Sequence, residues 1–413
     1  MKKKTAKHLA VALVCSYLIL IGVIAALWLL PPQQQEDTKQ TLSEANASDN
    51  VTFGENDEKK QEDHQEDEVT SPLPEDNLGE EASKEEAEGE EETGKNIPKE
   101  PESNTVNLVF TGDVYIGNYV SMVYDSKGIT SVLSEELISR FINSDLAMVN
   151  QEFPFSLRGE PMEDKQYTFR VDPKKVSLLT DLGIDVVSLA NNHALDYGTD
   201  ALLDSMETLE EAGITYVGVG SNLSEAKTTR YLKSNGKTIA ILSASRVIPV
   251  SEWGATSTRP GMFTTYDPTA LLEEIKAARE QADVVVVYLH WGLEKKEYPE
   301  DYQRVMGKQF IDAGADVVIG SHPHVLQGFE YYQGKLIVYS LGNFIFSQTI
   351  DSTALLSIDV DERNGLKYQI IPCTTVNGKT MELTDSEKIQ EIYQYLSSIS
   401  ESAVIDDHGF IVE

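Results

Sequence analysis

The run Val284-Val285-Val286-Val287-Tyr288-Leu289 limits what this chain can become more than any other stretch. Six consecutive apolar residues, four of them valine, read as a β-strand with no side left for water. Such a strand needs a packed layer on each face. Runs of similar character recur at 106–110, 146–149, 186–189, 238–243, 317–319 and 336–339. Helical patterns separate most of them, at about 131–142, 173–182, 199–212, 267–281 and 299–313. This alternation predicts stacked α/β layers. Two consecutive strands at 355–360 and 366–371 add a β component, and an amphipathic helix at 386–398 is expected on the outside.

Polar residues gather where these strands end. The first strand leads into Thr111-Gly112-Asp113, the next into Asn150-Gln151-Glu152, and the third into Asn191-Asn192-His193. Later strands lead into His290-Trp291-Gly292 and Gly320-Ser321-His322-Pro323-His324. The C-terminal ends of strands in an α/β sheet form one rim, and sites are built there. Of seven histidines, four lie on that rim; His8, His64 and His408 do not. An extended backbone aims residues i and i+2 the same way, so His322 and His324 are expected to converge. Pro323 biases His322 toward that extended geometry.

Carboxylate, amide and imidazole donors without a thiolate suit Mn²⁺, Mg²⁺, Zn²⁺ or Fe, as one ion or two. A shared carboxylate between two ions activates water and clamps a phosphoryl group. His193, if it is not a ligand, is a candidate general acid. Each residue also has a plainer use. Asp113 suits a turn or a helix cap, Glu152 a solvated loop, and His193 or His290 alone a core or capping role. Trp291 is a candidate pocket wall, Glu294 either binds a cation or faces water, and 340–343 reads as a tight turn beside the site. The chain has neither a Walker-type phosphate loop nor a Gly-x-Ser-x-Gly elbow.

The N-terminal quarter has a different composition. Residues 1–8 carry Lys2, Lys3, Lys4 and Lys7, and 9–30 is an uncharged stretch of 22 residues. At about 1.5 Å per residue it is long enough for a bilayer core of roughly 30 Å. The flanking lysines predict a single-pass anchor with a cytoplasmic N-terminus and an extracellular C-terminal domain. A cleaved signal peptide is the alternative, but 27–32 offers no small-residue cleavage site. Residues 31–103 contain 24 acidic and 6 basic residues, the composition of an extended, disordered linker. The formal net charge of the whole chain is −34, which argues against a nucleic-acid partner. Two distant cysteines, Cys15 and Cys373, make no disulfide framework. The expected division is therefore a basic tail at 1–8, an anchor at 9–30, a linker at 31–103, a folded domain at 104–380, and a C-terminal helix and tail at 381–413.

Six motifs in order resemble the CapA/PgsA family of poly-γ-glutamate capsule proteins. They are Thr111-Gly112-Asp113, Asn150-x-Glu152, Ala190-Asn191-Asn192-His193-x-x-Asp196-Tyr197-Gly198, His290-Trp291-Gly292-x-Glu294, Gly320-x-His322-Pro323-His324-Val325-x-Gln327 and 339–344. The family's domain is similar to calcineurin-like metallophosphoesterases, which implies a four-layer α/β sandwich around a metal centre. By position, the resemblance makes Asp113, Glu152, Asn192, His290, His322 and His324 metal ligands, with Glu152 bridging and His193 the acid. Asn150, Asn191, Trp291, Glu294 and Asn343 are expected to support the site or face substrate. The family's role implies poly-γ-glutamate or another anionic polymer, and membrane ligase and export subunits, as partners. Three departures stand out. Tyr115 replaces the histidine of the usual Asp-x-His, Glu152 replaces an aspartate, and Ser321 stands where the capsule family often has histidine. Three functions remain open at this stage: a capsule-polymer component with a hydrolase-type site, an exported phosphoesterase for another substrate, and a non-catalytic assembly subunit.

Overall fold

A computed structural model describes residues 105–361 and 365–413. The expected basic tail, anchor and linker lie outside the described residues. Among those described, no helix is long and apolar enough to cross a membrane.

Two sheets face one another. In the ten-stranded sheet the order is Val404–Ile405, Phe410–Val412, Gly365–Val376, Ile350–Asp361, Val106–Val114, Leu146–Gln151, Val186–Ser188, Thr215–Val217. Asn343–Ile345 also pairs with Val106–Val114, and Lys379–Glu382 with Gly365–Val376. The six-stranded sheet runs Phe329–Tyr332, Lys335–Val338, Val317–Ser321, Val284–His290, Lys237–Ser245, Arg230–Ser234. The strands predicted from apolar runs are the parallel ones at the centre of each sheet.

Alternation along the strands builds three cores. Leu108, Phe110, Leu146 and Met148 of one sheet meet Val284, Val286, Val317 and Ile319 of the other. Val109, Ala147, Val149 and Val187 pack instead on Leu137, Phe141, Leu202 and Met206 of one helix layer. Val285, Val287 and Val318 pack on Leu271, Ile275, Met306 and Phe310 of the second helix layer. The layers are therefore helix, sheet, sheet, helix. The all-apolar Val284–His290 strand is buried at every position because both of its faces are covered.

Local signals set the helix ends. Ser134 caps Glu135–Ile142 by accepting from the Leu137 amide at 3.4 Å, so the helix begins after the expected residue 131. Glu300 and Gln303 form a capping box for Asp301–Ala313, which ends at Gly314 with φ 120°. The helix Ser386–Ser398 falls where expected but is not only an outer element. Its Tyr393 and Leu396 enter the inter-sheet core, and the chain after it adds two strands to the larger sheet.

The Ser340–Asn343 turn crosses tightly over the first strand. The Asp113 amide donates to the Gly342 carbonyl at 2.8 Å, and a Cβ on Gly112 would lie 1.8 Å from that oxygen. Only glycine fits there. Gly112→Ala is expected to destabilise the domain by about 1–3 kcal/mol or more. Chemical denaturation checks this, and a midpoint equal to wild type would show that the crossing is loose.

Candidate metal centre

The inner faces of both sheets change from apolar to polar at the same end. Leu146 and Met148 face inward, and so does the next residue in phase, Asn150. His290 follows Val284, Val286 and Tyr288 in the same way, and Ser321 follows Val317 and Ile319. Asp113 arrives by another route. Strict alternation after Leu108 and Phe110 would aim residue 112 inward. A register break between Phe110 and Asp113 shifts the phase, so the Asp113 carboxylate reaches the inner side.

Asp113 Oδ1 accepts from Asn150 Nδ2 at 2.8 Å, and Oδ2 from the His322 amide at 3.1 Å. Asn150 Nδ2 also lies 3.2 Å from His290 Nδ1, while its Oδ1 accepts from Asn191 at 3.2 Å. Asn191 Oδ1 then accepts from the His193 amide at 3.0 Å. His290 Nε2 is 2.7 Å from Asn192 Oδ1 and 3.4 Å from Glu152 Oε1. His324 Nδ1 lies 2.6 Å from Asn343 Oδ1, 3.3 Å from Asp113 and 3.9 Å from Glu152. The predicted rim residues are thus brought together by both sheets.

Two overlapping groups could hold a cation: Glu152, His322 and His324, and Asp113, Glu152 and His290. In each, the donor atoms lie within 4.8 Å of one another, and Glu152 belongs to both. Both Glu152 oxygens and His322 Nδ1 are buried without a hydrogen-bond partner. An ionised carboxylate left unpaired in a dry interior costs several kcal/mol, and a bound divalent ion removes that cost. The residues present therefore fit a divalent cation.

The protonation pattern agrees. Burial, and then the Asp113 charge, pushes the Glu152 carboxyl well above its usual range. Burial, with His322 next to it, drives His290 well below its ordinary value, and burial and His324 hold His322 at about 3. Both rings are thus neutral, the form that donates a lone pair to a metal. Burial also acts to lower His324, but the Glu152 and Asp113 carboxylates and the bond to Asn343 outweigh it and raise the ring to about 10.

The His322–Pro323–His324 backbone is not extended as the sequence suggested. His322 has φ 97° and His324 φ 58°, both in the left-handed region, and the rings meet across a bend with centroids 5.7 Å apart. The pair converges because the chain folds over, and the strain is held by the surrounding contacts. Trp291 is also placed differently from expectation. Being one residue beyond His290, it points to the opposite face, where it is fully buried against Tyr339 and donates to the Tyr339 carbonyl at 2.9 Å. It does not wall the cleft. Tyr115, where the resemblance implied a histidine, stacks on Phe169 at 4.0 Å.

His193 stands beside the donors, not among them. Its Nδ1 is 2.7 Å from Asp196 Oδ2, and its ring stacks on Phe169 at 4.1 Å. A cleft of about 490 Å³ opens over the cluster, lined by Lys165, Tyr167, Asn192, His193, Glu294 and His324 among others. Asp196 was readable in the sequence from its i, i+3 spacing to His193. Lys165 and Phe169, on an irregular loop, gave no such signal.

This is an α/β protein of four layers, with a buried carboxylate–imidazole cluster at the shared rim of its sheets. Residues 107–348 match the family described as Bacterial capsule synthesis protein PGA_cap, and the chain belongs to that family. It is 35% identical over 275 residues to the PGA biosynthesis protein CapA of Bacillus subtilis, covering 65% of this chain and 71% of that protein. It is 32% identical over 310 residues to the capsule biosynthesis protein CapA of Bacillus anthracis, covering 72% and 74% respectively. Among solved structures, the Haemophilus influenzae NAD nucleotidase NadN aligns over 74% of this chain and 57% of that one, at 13% identity and a TM-score of 0.40.

Adding Mn²⁺ or Zn²⁺ to chelator-treated protein is expected to raise its melting temperature, by about 2.7 kcal/mol of stabilisation at a hundredfold excess over Kd. Glu152→Gln should lose that rise, yet be at least as stable as wild type without metal, because a buried unpaired carboxyl is gone. A metal-free variant that melts well below wild type would mean that Glu152 serves the fold and not a cation.

Proposed function

We propose that this chain is a membrane-anchored, extracellular component of poly-γ-glutamate synthesis or export, with a metal-dependent hydrolase-type centre open to the polymer. The observation that carries the hydrolytic reading is the buried, unpartnered Glu152 carboxylate set among three imidazoles. Family membership, and the names of the two Bacillus relatives, support the capsule role. The anchor rests on the uncharged 9–30 stretch behind its lysines, and the extracellular placement follows from it. Membrane ligase and export subunits are the partners that such a placement serves.

Asp113, Glu152, Asn192, His290, His322 and His324 would hold the cation, of Mn, Mg, Zn or Fe type, as one ion or two. When bound, the cation supplies positive charge for a phosphoryl or acyl oxygen and lowers the pKa of a water. The chain's own groups do the rest. Asn150 and Asn343 fix the orientations of His290, Asp113 and His324 by the bonds described above. His193 lines the cleft and has Nδ1 committed to Asp196, so Nε2 is the nitrogen left to give a proton to a leaving group. Glu294, also on the cleft, is placed to meet the substrate or its counter-cations. A divalent ion also answers an electrostatic problem. A chain of formal charge −34 repels polyglutamate unless cations lie between them.

His193→Ala is expected to lower turnover of a test phosphoester whose alkoxide leaving group needs a proton, such as glycerol 2-phosphate, by about 10²–10⁴-fold. The metal-dependent rise in melting temperature should persist, because His193 is outside the donor groups. In cells that make the polymer, replacing the gene with His322→Ala should abolish polymer at unchanged protein level, measured as cell-associated plus released glutamate polymer. Full polymer yield from that strain, with wild-type protein inert toward phosphoesters, would sink the hydrolytic reading.

A further inference from the structure

The loop over the cleft carries a lysine that nothing in the metal centre requires. Asp164, with φ 60°, turns the chain so that Lys165 points inward, and the Lys165 side chain is only 14% exposed. Its ammonium contacts Asp196 Oδ1 and the Asn192 carbonyl oxygen, and lies 3.2 Å from His193 Nδ1. These three partners all belong to the turn that carries His193. The Trp253 ring, 5.2 Å away, closes the lysine's outer side. Four residues on, the Phe169 amide donates to Asp196 Oδ2 at 2.7 Å, and the Phe169 ring stacks on His193. Asp196 is fully buried, so Lys165 is the charge that balances it.

We propose that Lys165 is the positioning residue for His193, acting through Asp196. Lys165 occupies one Asp196 oxygen, which leaves the other to hold His193 Nδ1. With Phe169 fixing the ring plane, the imidazole has one orientation and its Nε2 faces the cleft. Lys165 borders the cleft together with Gln166 and Tyr167, but its ammonium is committed to Asp196 and the Asn192 carbonyl, which leaves Gln166 and Tyr167 as the loop's groups free to meet a substrate. The segment that meets the substrate therefore also sets the acid, and a substrate that shifts the loop shifts His193 with it. The inference rests on the hydrolytic reading of the site.

The experiment uses the full chain in detergent with diamagnetic Zn²⁺ and glycerol 2-phosphate, whose alkoxide leaving group needs a proton. Lys165→Met is expected to lower kcat about 100-fold with KM within about threefold of wild type. In a His193→Ala background the same change should have no further effect, because the lysine acts through that ring. Equal losses in both backgrounds would overturn the proposal and make Lys165 a structural residue. A second readout does not depend on turnover. With ¹³C-labelled histidine, the His193 ring signal, assigned by its absence in His193→Ala, is shifted by stacking on Phe169 and should move to the unstacked position in Lys165→Met. An unmoved signal overturns the proposal. A moved signal in a protein that hydrolyses no ester overturns the hydrolytic reading and leaves the positioning intact.

Discussion

Two carboxylates, Asp113 and Glu152, stand at the end of an otherwise dry inter-sheet core, both fully buried. Charge of one sign cannot be left there unbalanced, and the neighbourhood is arranged around that fact. Asp113 is satisfied by Asn150 and the His322 amide, whereas Glu152 has neither oxygen bonded. His324 lies 3.3 Å from Asp113 and 3.9 Å from Glu152, and their charge raises its ring. His290 and His322, kept neutral by burial, add lone pairs and no charge. The bend that brings His322 and His324 inward is held in a backbone region that non-glycine residues avoid, and the closely crossing 340–343 turn helps to hold it. Apolar packing thus positions the polar groups, and the polar groups in turn require a positive partner.

Much of this was legible in the chain because it follows from burial. Strands covered on both faces must be continuously apolar, so the central strands could be read directly, and with them the rim where polar residues begin. Most edge strands were not legible, although Thr215–Val217, at one edge of the larger sheet, could be read from the apolar residues around Tyr216. Arg230–Ser234 is only partly buried, and Phe329–Tyr332 and the two C-terminal strands are short, so no apolar run marks them. Within the site, Asn150 and His290 face inward by simple alternation. Asp113 does so only through a register break, and a break has no periodic signature. The same alternation shows why Trp291 belongs to the helix-side core. The HxH motif announced a convergent pair, but not the left-handed bend that produces it. Lys165 and Phe169 act from an irregular loop, where spacing carries no information about direction.

The carboxylate–imidazole cluster and the cleft above it draw on segments of different character. Asp113, Asn150 and His290 sit on central strands that are paired on both sides. His193 depends on a turn braced by residues some thirty positions earlier in the chain, Lys165 and Phe169. The donors are therefore held by the strands, while the His193 side of the cleft is held by a surface loop. A change in that loop can therefore alter the cleft without disturbing the donor geometry.

The pairing of the first strand has a consequence for synthesis. Val106–Val114 lies mid-sheet, and one of its neighbours, Ile350–Asp361, is among the last strands made, itself paired to Gly365–Val376. The C-terminal helix and final strands then complete the same core and sheet. The chain cannot close its inter-sheet core co-translationally from the N-terminal end. The 106–114 strand lacks its Ile350–Asp361 neighbour until those residues have been made. Contacts of such long sequence separation make folding slow. A chain that folds late gives nascent-chain holding factors a long interval in which to bind it.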